Sequence, residues 1–244
     1  VEQAVDRGLE FLSGQQRQNG AYQPDPMNDP GITGLCILAF MSRGHLPAQG
    51  PYGDALEKST RFVVNCQRPD GMISDQLHFK HSTYSHGICA LTISELYGMS
   101  PREDDGQLQR AVERAIAFTS LRVSQPKQFK HDEGSWRYLE RQNNADGDLS
   151  LTSWNLMFLR SAKNNGFEVD VKLIDDAIAY IKRLYDPQKK TFRYFVMHDR
   201  GRNFERGMAG AGIISLAAAG EHNSEMATNA AKFILGRPFD QYGR

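Results

Sequence analysis

Asp146 and Asp148 stand in the stretch Ala145-Asp-Gly-Asp-Leu-Ser-Leu-Thr-Ser-Trp154, directly before an apolar, helix-like run. An aspartate there is either a helix N-cap, whose oxygen satisfies the orphan amides at N2 or N3, or an acid placed to do chemistry. A further carboxylate, Glu205, sits beside Arg206 ahead of another apolar run. Two carboxylates roughly 5–10 Å apart across a polar, open groove are what glycoside hydrolysis needs. Asp146 or Asp148 with Glu205 would supply such a pair. His86 and Cys89 lie at i, i+3 on one helical face, with His81 near. Two ligands on one helix are too few for zinc, so no metal and no cofactor is expected.

Rings accompany these groups. Trp154 and Phe158 are four residues apart in one apolar run, and Tyr84 starts another. Ring faces stabilise cations, and the same side chains fill cores. The segment Lys127–Arg141, charged and aromatic without a clear period, reads as a long loop, a common seat of function.

The elements that must position these residues come from a repeat. A small residue, an apolar one, any residue, an aromatic and an apolar or small residue recur at Gly8-Leu9-x-Phe11-Leu12, Ala115-Ile116-x-Phe118-Thr119, Ala177-Ile178-x-Tyr180-Ile181 and Ala230-Ala231-x-Phe233-Ile234, with a looser copy at Ser59-x-x-Phe62-Val63. The aromatic falls at 11, 62, 118, 180 and 233, at spacings of 51, 56, 62 and 53. Helical periodicity around each predicts five amphipathic helices. Between them lie four more apolar runs, 32–42, 84–97, 149–163 and 208–219, with Gly44, Gly98, Gly166 and Gly220 expected as left-handed residues after the helix ends. Alternating amphipathic and apolar helices every 50–60 residues, with few strand signals, predict an all-α fold of two layers, the apolar set inside. Repeat units start near 1, 55, 107, 171 and 225 of a single domain, and stack as a solenoid or close into a ring. The near-uniform apolarity of the second set favours closure.

The turns carry a resemblance. Gln16-Arg-Gln-Asn-Gly20-Ala-Tyr22 follows the first amphipathic helix, Gln67-Arg-Pro-Asp-Gly71 the second, and Gly134-Ser-Trp136 the third, the last without a Gln in register. This resembles the QW-type repeat of the terpenoid cyclase and protein prenyltransferase superfamily, over most of the chain and best over 4–164, and is most similar to the prenyltransferase/squalene oxidase repeat proteins. The resemblance implies an α/α toroid in which the Gln and aromatic tie consecutive helices together. Five amphipathic helices against four apolar ones imply a ring that is open or incomplete at its C-terminus, whose apolar edge is a candidate for self-association.

In such a ring the inner helices run parallel and their N-termini meet at one mouth. Residues 29–33, 81–86, 146–148 and 203–206 gather there, with Tyr84, His86, Trp154, Glu205 and Arg206 as candidate binding residues. The stretch 145–154 also resembles the Asp-x-Asp-Asp-Thr-Ala motif of proton-initiated terpene cyclases, which implies Asp148 as the proton-donating acid and Asp146 as the first Asp. Leu149 stands where that motif has its third Asp. The Asp-x-Cys zinc ligands of the protein prenyltransferases are absent, as is the Cys-Gly-Glu-Gln of thioester toroids. Three readings stay open: proton-initiated isoprenoid cyclisation, a non-catalytic toroid binding a hydrophobic ligand or a protein partner, and a carbohydrate-active α/α barrel.

Bulk properties narrow the partners. The 244 residues carry 29 basic and 29 acidic side chains, so no nucleic-acid footprint is expected. No apolar run reaches the roughly 18 residues of a membrane span. Cys36, Cys66 and Cys89 are an odd count, which argues against a disulfide framework. The chain begins at Val1 inside a helical pattern with no signal-peptide pattern. Removal of an N-terminal segment is expected, and no compartment is assigned.

Overall fold

The computed structural model of the chain describes residues 1–22, 29–74, 81–99, 106–141, 145–197 and 205–237. Among these the protein is predominantly helical: α1 Glu2–Gly14, α2 Asp29–Met41, α3 Gly53–Asn65, α4 His81–Met99, α5 Gln107–Val123, α6 Leu149–Asn164, α7 Val171–Arg183, α8 Arg206–Ala218 and α9 Glu225–Leu235, with a short 3-10 helix at Lys130–Asp132. The two strands, β1 Tyr185–Asp186 and β2 Thr191–Phe192, pair antiparallel with Tyr185 opposite Phe192.

The odd-numbered helices and α8 bury one stripe, whereas α2, α4 and α6 bury most of their circumference. On α7 the buried set is Ile174, Ala177, Tyr180 and Ile181, the three-and-four spacing of one helical face. On α6, by contrast, Leu149, Leu151, Thr152, Ser153, Asn155 and Leu156 are all buried. The alternation expected from the sequence is therefore present from α1 to α7, and α8 departs from it, burying a single stripe of small residues and Leu216. The aromatic of the repeat varies in its use: Tyr180 is fully buried, whereas Phe11 is 65% exposed on α1, whose sole buried residue is Leu9.

The chain forms two compact units. The first comprises Val1–Leu121 and Ser161–Val169. Its α2 and α4 approach closely because the interface residues are small. A Cβ on Gly31 would come within 2.9 Å of Ser85 Oγ, and one on Gly34 within 3.1 Å of Thr92 Oγ1. The Cys89 thiol donates to Pro30 O at 2.9 Å and Thr92 Oγ1 to Gly34 O at 3.3 Å, satisfying polar groups inside the contact. Gly44, Gly166 and Gly220 are left-handed, as helix-ending glycines should be. Gly98 is not: it lies inside α4, and its missing side chain makes room for Asn165, whose Nδ2 donates to Ser94 O at 2.7 Å.

The second unit comprises Arg122–Arg160 and Asp170–Arg244. Gly212 of α8 lies against the ring of Phe192, where any Cβ would clash. Ser153 and Ser215 share a hydroxyl–hydroxyl bond of 2.9 Å between α6 and α8.

The turns after the odd-numbered helices repeat one construction. Gly20, Gly71 and Gly134 have φ of 95°, 92° and 85°. Their Cα atoms press on the backbone of the next odd-numbered helix, at Lys58, Arg114 and Asp176 respectively, so that a Cβ would collide with a carbonyl oxygen. Gln16 Nε2 reaches across to Ala55 O at 2.7 Å, and Gln67 Nε2 to Ala111 O at 2.8 Å. Two residues past each glycine, an amide donates into the following even-numbered helix: Tyr22 N to Thr33 Oγ1, Ile73 N to His86 Nδ1 and Trp136 N to Thr152 Oγ1, each at 3.2 Å. A fourth copy escapes the sequence pattern. Asp186-x-x-x-Lys190-x-Phe192 keeps the spacing and the left-handed residue, Lys190 at φ 55°, with Asp for Gln and Lys for Gly.

Candidate functional site

The second unit holds the Asp-x-Asp stretch at the start of α6. Asp148 is the residue before the helix, and its Oδ1 accepts the amide of Leu151 at 2.8 Å, an N-cap bond to the third helical residue. Its backbone is fixed as well: Asp148 N donates to Trp136 O at 3.2 Å and Leu149 N to Tyr194 O at 2.8 Å. Gly147 is required between the two aspartates because Ser135 and Tyr180 occupy the space of a Cβ.

Asp148 has no exposed surface. Burial pushes its carboxyl up to about 6, against the opposing pull of the Leu151 amide, the Arg137 charge and the Tyr194 hydroxyl. The hydroxyl is near enough to favour the ionised form but completes no hydrogen bond to Oδ2, which stays unpartnered. Tyr180 raises a second unpartnered buried oxygen in the same region, its hydroxyl facing the fields of Asp132 and Asp148, and burial holds its pKa well above the usual tyrosine value.

Asp146 is nearly buried, and its Oδ2 accepts the backbone amide of Gln128. Its own amide donates to Asp132 Oδ2 at 2.7 Å. Asp132 has no exposed surface, and burial pushes its carboxyl up. The 3-10 helix thus brings a third carboxylate, Asp132, to the backbone of Asp146. Nothing in the spacing of Lys-His-Asp132-Glu marks it, since it reaches the aspartates through a turn 14 residues upstream.

The segment 127–141, expected as a loop, is pinned. Lys127 Nζ donates to Ser135 O at 2.7 Å and to Asp146 O at 3.4 Å, and burial pulls its pKa down to about 8. Arg122 Nη2 bonds Tyr138 O and Leu139 O at 3.2 and 3.3 Å. Arg137 lies over the rings of Tyr138, Tyr194 and Phe195, at 5.2, 5.8 and 5.2 Å from their centres.

The remaining candidates fall as follows. Glu205 is exposed and precedes α8 without a side-chain capping bond. Arg206 Nη1 donates to Arg237 O at 2.9 Å. Trp154 is half-buried on α6. These three share the second unit with the aspartates. Tyr84 and His86 belong to the first, on α4, Tyr84 half-buried and His86 buried. His86 accepts the Ile73 amide at Nδ1, so Nε2 carries the proton and donates to Thr119 Oγ1 at 2.9 Å. Burial lowers its pKa to about 3. With both nitrogens engaged it serves neither as base nor as ligand in this state. The side chains of Asp29 and His81, and residue Asn203, lie outside the described residues. Among the described residues no group of three or more His, Cys, Asp or Glu is arranged to hold a metal ion, and no helix is long and apolar enough to cross a membrane.

The chain matches no family model and no curated protein.

Proposed function

We propose that this chain is a terpenoid cyclase/prenyltransferase-like repeat protein, its helix pairs arranged as an α/α toroid, that binds a hydrophobic ligand and does not catalyse. One observation carries the reading: the hydrogen bonds of both Asp146 and Asp148 carboxylates go to backbone amides, at Gln128 and Leu151, as expected of structural caps. The recurring turn at Gly20, Gly71 and Gly134 supports the repeat resemblance, because it ties successive helices in one way each time. Leu35, 38% exposed on α2, whose other side chains are mostly buried, supports an apolar ligand. Isoprenoid chains, isoprenoid alcohols and squalene are the class to test. Equilibrium binding of that panel, read by retention on the protein, should give saturable binding that Asp148→Asn leaves unchanged. Absence of saturable binding across the panel rejects the reading.

A second reading has its own support. Asp148 is a buried carboxylic acid, protonated up to about pH 6, with one oxygen unpartnered. Those are attributes of a general acid, and Asp132 stands as the supporting carboxylate that Leu149 does not provide. Against it, four cations, Arg122, Lys127, Arg137 and Arg141, line the recess beside Asp146, a poor neighbour for a carbocation. The carbohydrate-active reading draws no support from Glu205, which is exposed on a helix start.

A further inference from the structure

The first unit contains a recess of about 360 Å³ where the end of α4, one face of α5 and the turn after α6 meet. The turn is fixed by its own hydrogen bonds. The amides of Gly166 and Phe167 donate to Lys163 O and Ala162 O at 3.1 and 3.0 Å, with Gly166 left-handed at φ 89°, the closure of a Schellman motif. Asn165 Nδ2 ties the same turn to α4 by donating to Ser94 O at 2.7 Å. Phe167 is thereby set beside Tyr97, the ring centres 4.7 Å apart and the planes at 57°. Both rings are half-buried and line the recess. Its charge has one sign. Glu113 and Glu168 line it, and no lysine, arginine or histidine does so among the described residues. Glu113 accepts from Gln109 Nε2 at 2.9 Å, a neutral donor. Neither glutamate is ion-paired among the described residues.

We propose that this recess binds a small quaternary ammonium compound, its methyl groups against Tyr97 and Phe167 and its charge facing Glu113 and Glu168. The proposal does not rest on the hydrophobic-ligand reading, which concerns neutral isoprenoids. Carboxylates favour any cation, but rings select among cations. Their faces attract a charge spread over methyl groups, which sheds water readily and needs no hydrogen-bond acceptor. An inorganic cation fits less well: calcium takes 6–8 oxygen ligands, and two side-chain carboxylates fall far short of that set. The volume lies in the range of small-molecule sites. The placement also has a structural basis, because the Schellman turn and the Asn165 bond hold Phe167 and Glu168 against α5 without help from a ligand.

The test is calorimetric titration of the full chain with choline at constant ionic strength, since screening alone would mimic a weak effect. Saturable one-to-one binding is expected. The neutral isostere 3,3-dimethylbutan-1-ol, which has carbon in place of the charged nitrogen, should bind about two- to fivefold more weakly or not at all. Phe167→Leu keeps an apolar side chain and removes one ring face, and should weaken choline by about two- to fivefold. Glu168→Gln should weaken it to a similar degree. Glu168 is exposed and makes no hydrogen bond through its side chain among the described residues, so this variant carries the test if Phe167→Leu does not fold. Calcium chloride run in parallel should not displace choline. Equal binding of choline and the neutral isostere, displacement of choline by calcium, affinity unchanged in both variants, or no saturable binding of choline overturns the proposal.

Discussion

The amide of Ile73 donates to Nδ1 of His86 at 3.2 Å, the bond that Tyr22 makes to Thr33 and Trp136 makes to Thr152. His86 therefore occupies a threonine's place in a repeated joint. Replacing it with alanine leaves the Ile73 amide without its acceptor, removes one hydrogen bond from the Thr119 hydroxyl and opens a cavity, at a cost of about 2–4 kcal/mol in urea unfolding. His86→Thr, which restores the acceptor used in the other copies, should recover part of that loss.

His86 and Asp148 also set opposite pH slopes. His86 stays neutral in the fold down to about 3, while the unfolded chain protonates its histidine near 6.5. Its contribution to stability is present above 6.5 and is lost as pH falls, by about 1.4 kcal/mol per unit. Asp148 titrates near 6 in the fold against 3.8 unfolded. The fold binds the extra proton in that window, so stability is lost as pH rises from 3.8 to 6. The two slopes offset each other between about 4 and 6, and below 4 the histidine term remains. Denaturant midpoints across pH should show Asp148→Asn losing stability steeply from 6 down to 4, and His86→Thr gaining it there. Parallel pH profiles for the two variants would contradict these assignments.

The turn glycines give a pair of opposite signs. Gly71→Ala places a Cβ against Arg114 O at a φ of 92°, and should cost about 2–4 kcal/mol. Lys190→Gly relieves a left-handed lysine at φ 55° in the fourth turn, and should stabilise by about 0.5–1 kcal/mol. Thermal midpoints of the two single variants decide both.

Gln67→Ala removes the bonds to Gly71 O and Ala111 O. Loss of about 1–2 kcal/mol is expected, and the same for Gln16→Ala, whose amide bonds Ala55 O and Ser59 Oγ. Unfolding curves of the two variants should overlay.

The helices were legible because their periods are strong: the four apolar runs became α2, α4, α6 and α8 within a few residues. The first three turns were legible through Gly20, Gly71 and Gly134. The fourth was not, because Lys190 can adopt a glycine's conformation at a cost that tertiary packing absorbs. Asp146 and Asp148 were visible as carboxylates before a helix, but Asp132 was not, since its link to them is a tertiary hydrogen bond to a backbone amide. The role of His86 was equally hidden: a lone histidine in an apolar run carries no sign that a distant amide will take its Nδ1.

The central claim is that Asp148 is a cap and not a working acid. The most direct test incubates the chain with squalene and a polyprenyl panel near pH 6 and follows products by mass spectrometry, with Asp148→Asn alongside. No cyclised product from either protein is the predicted result. A cyclised product made by the unaltered chain and lost in Asp148→Asn would contradict it.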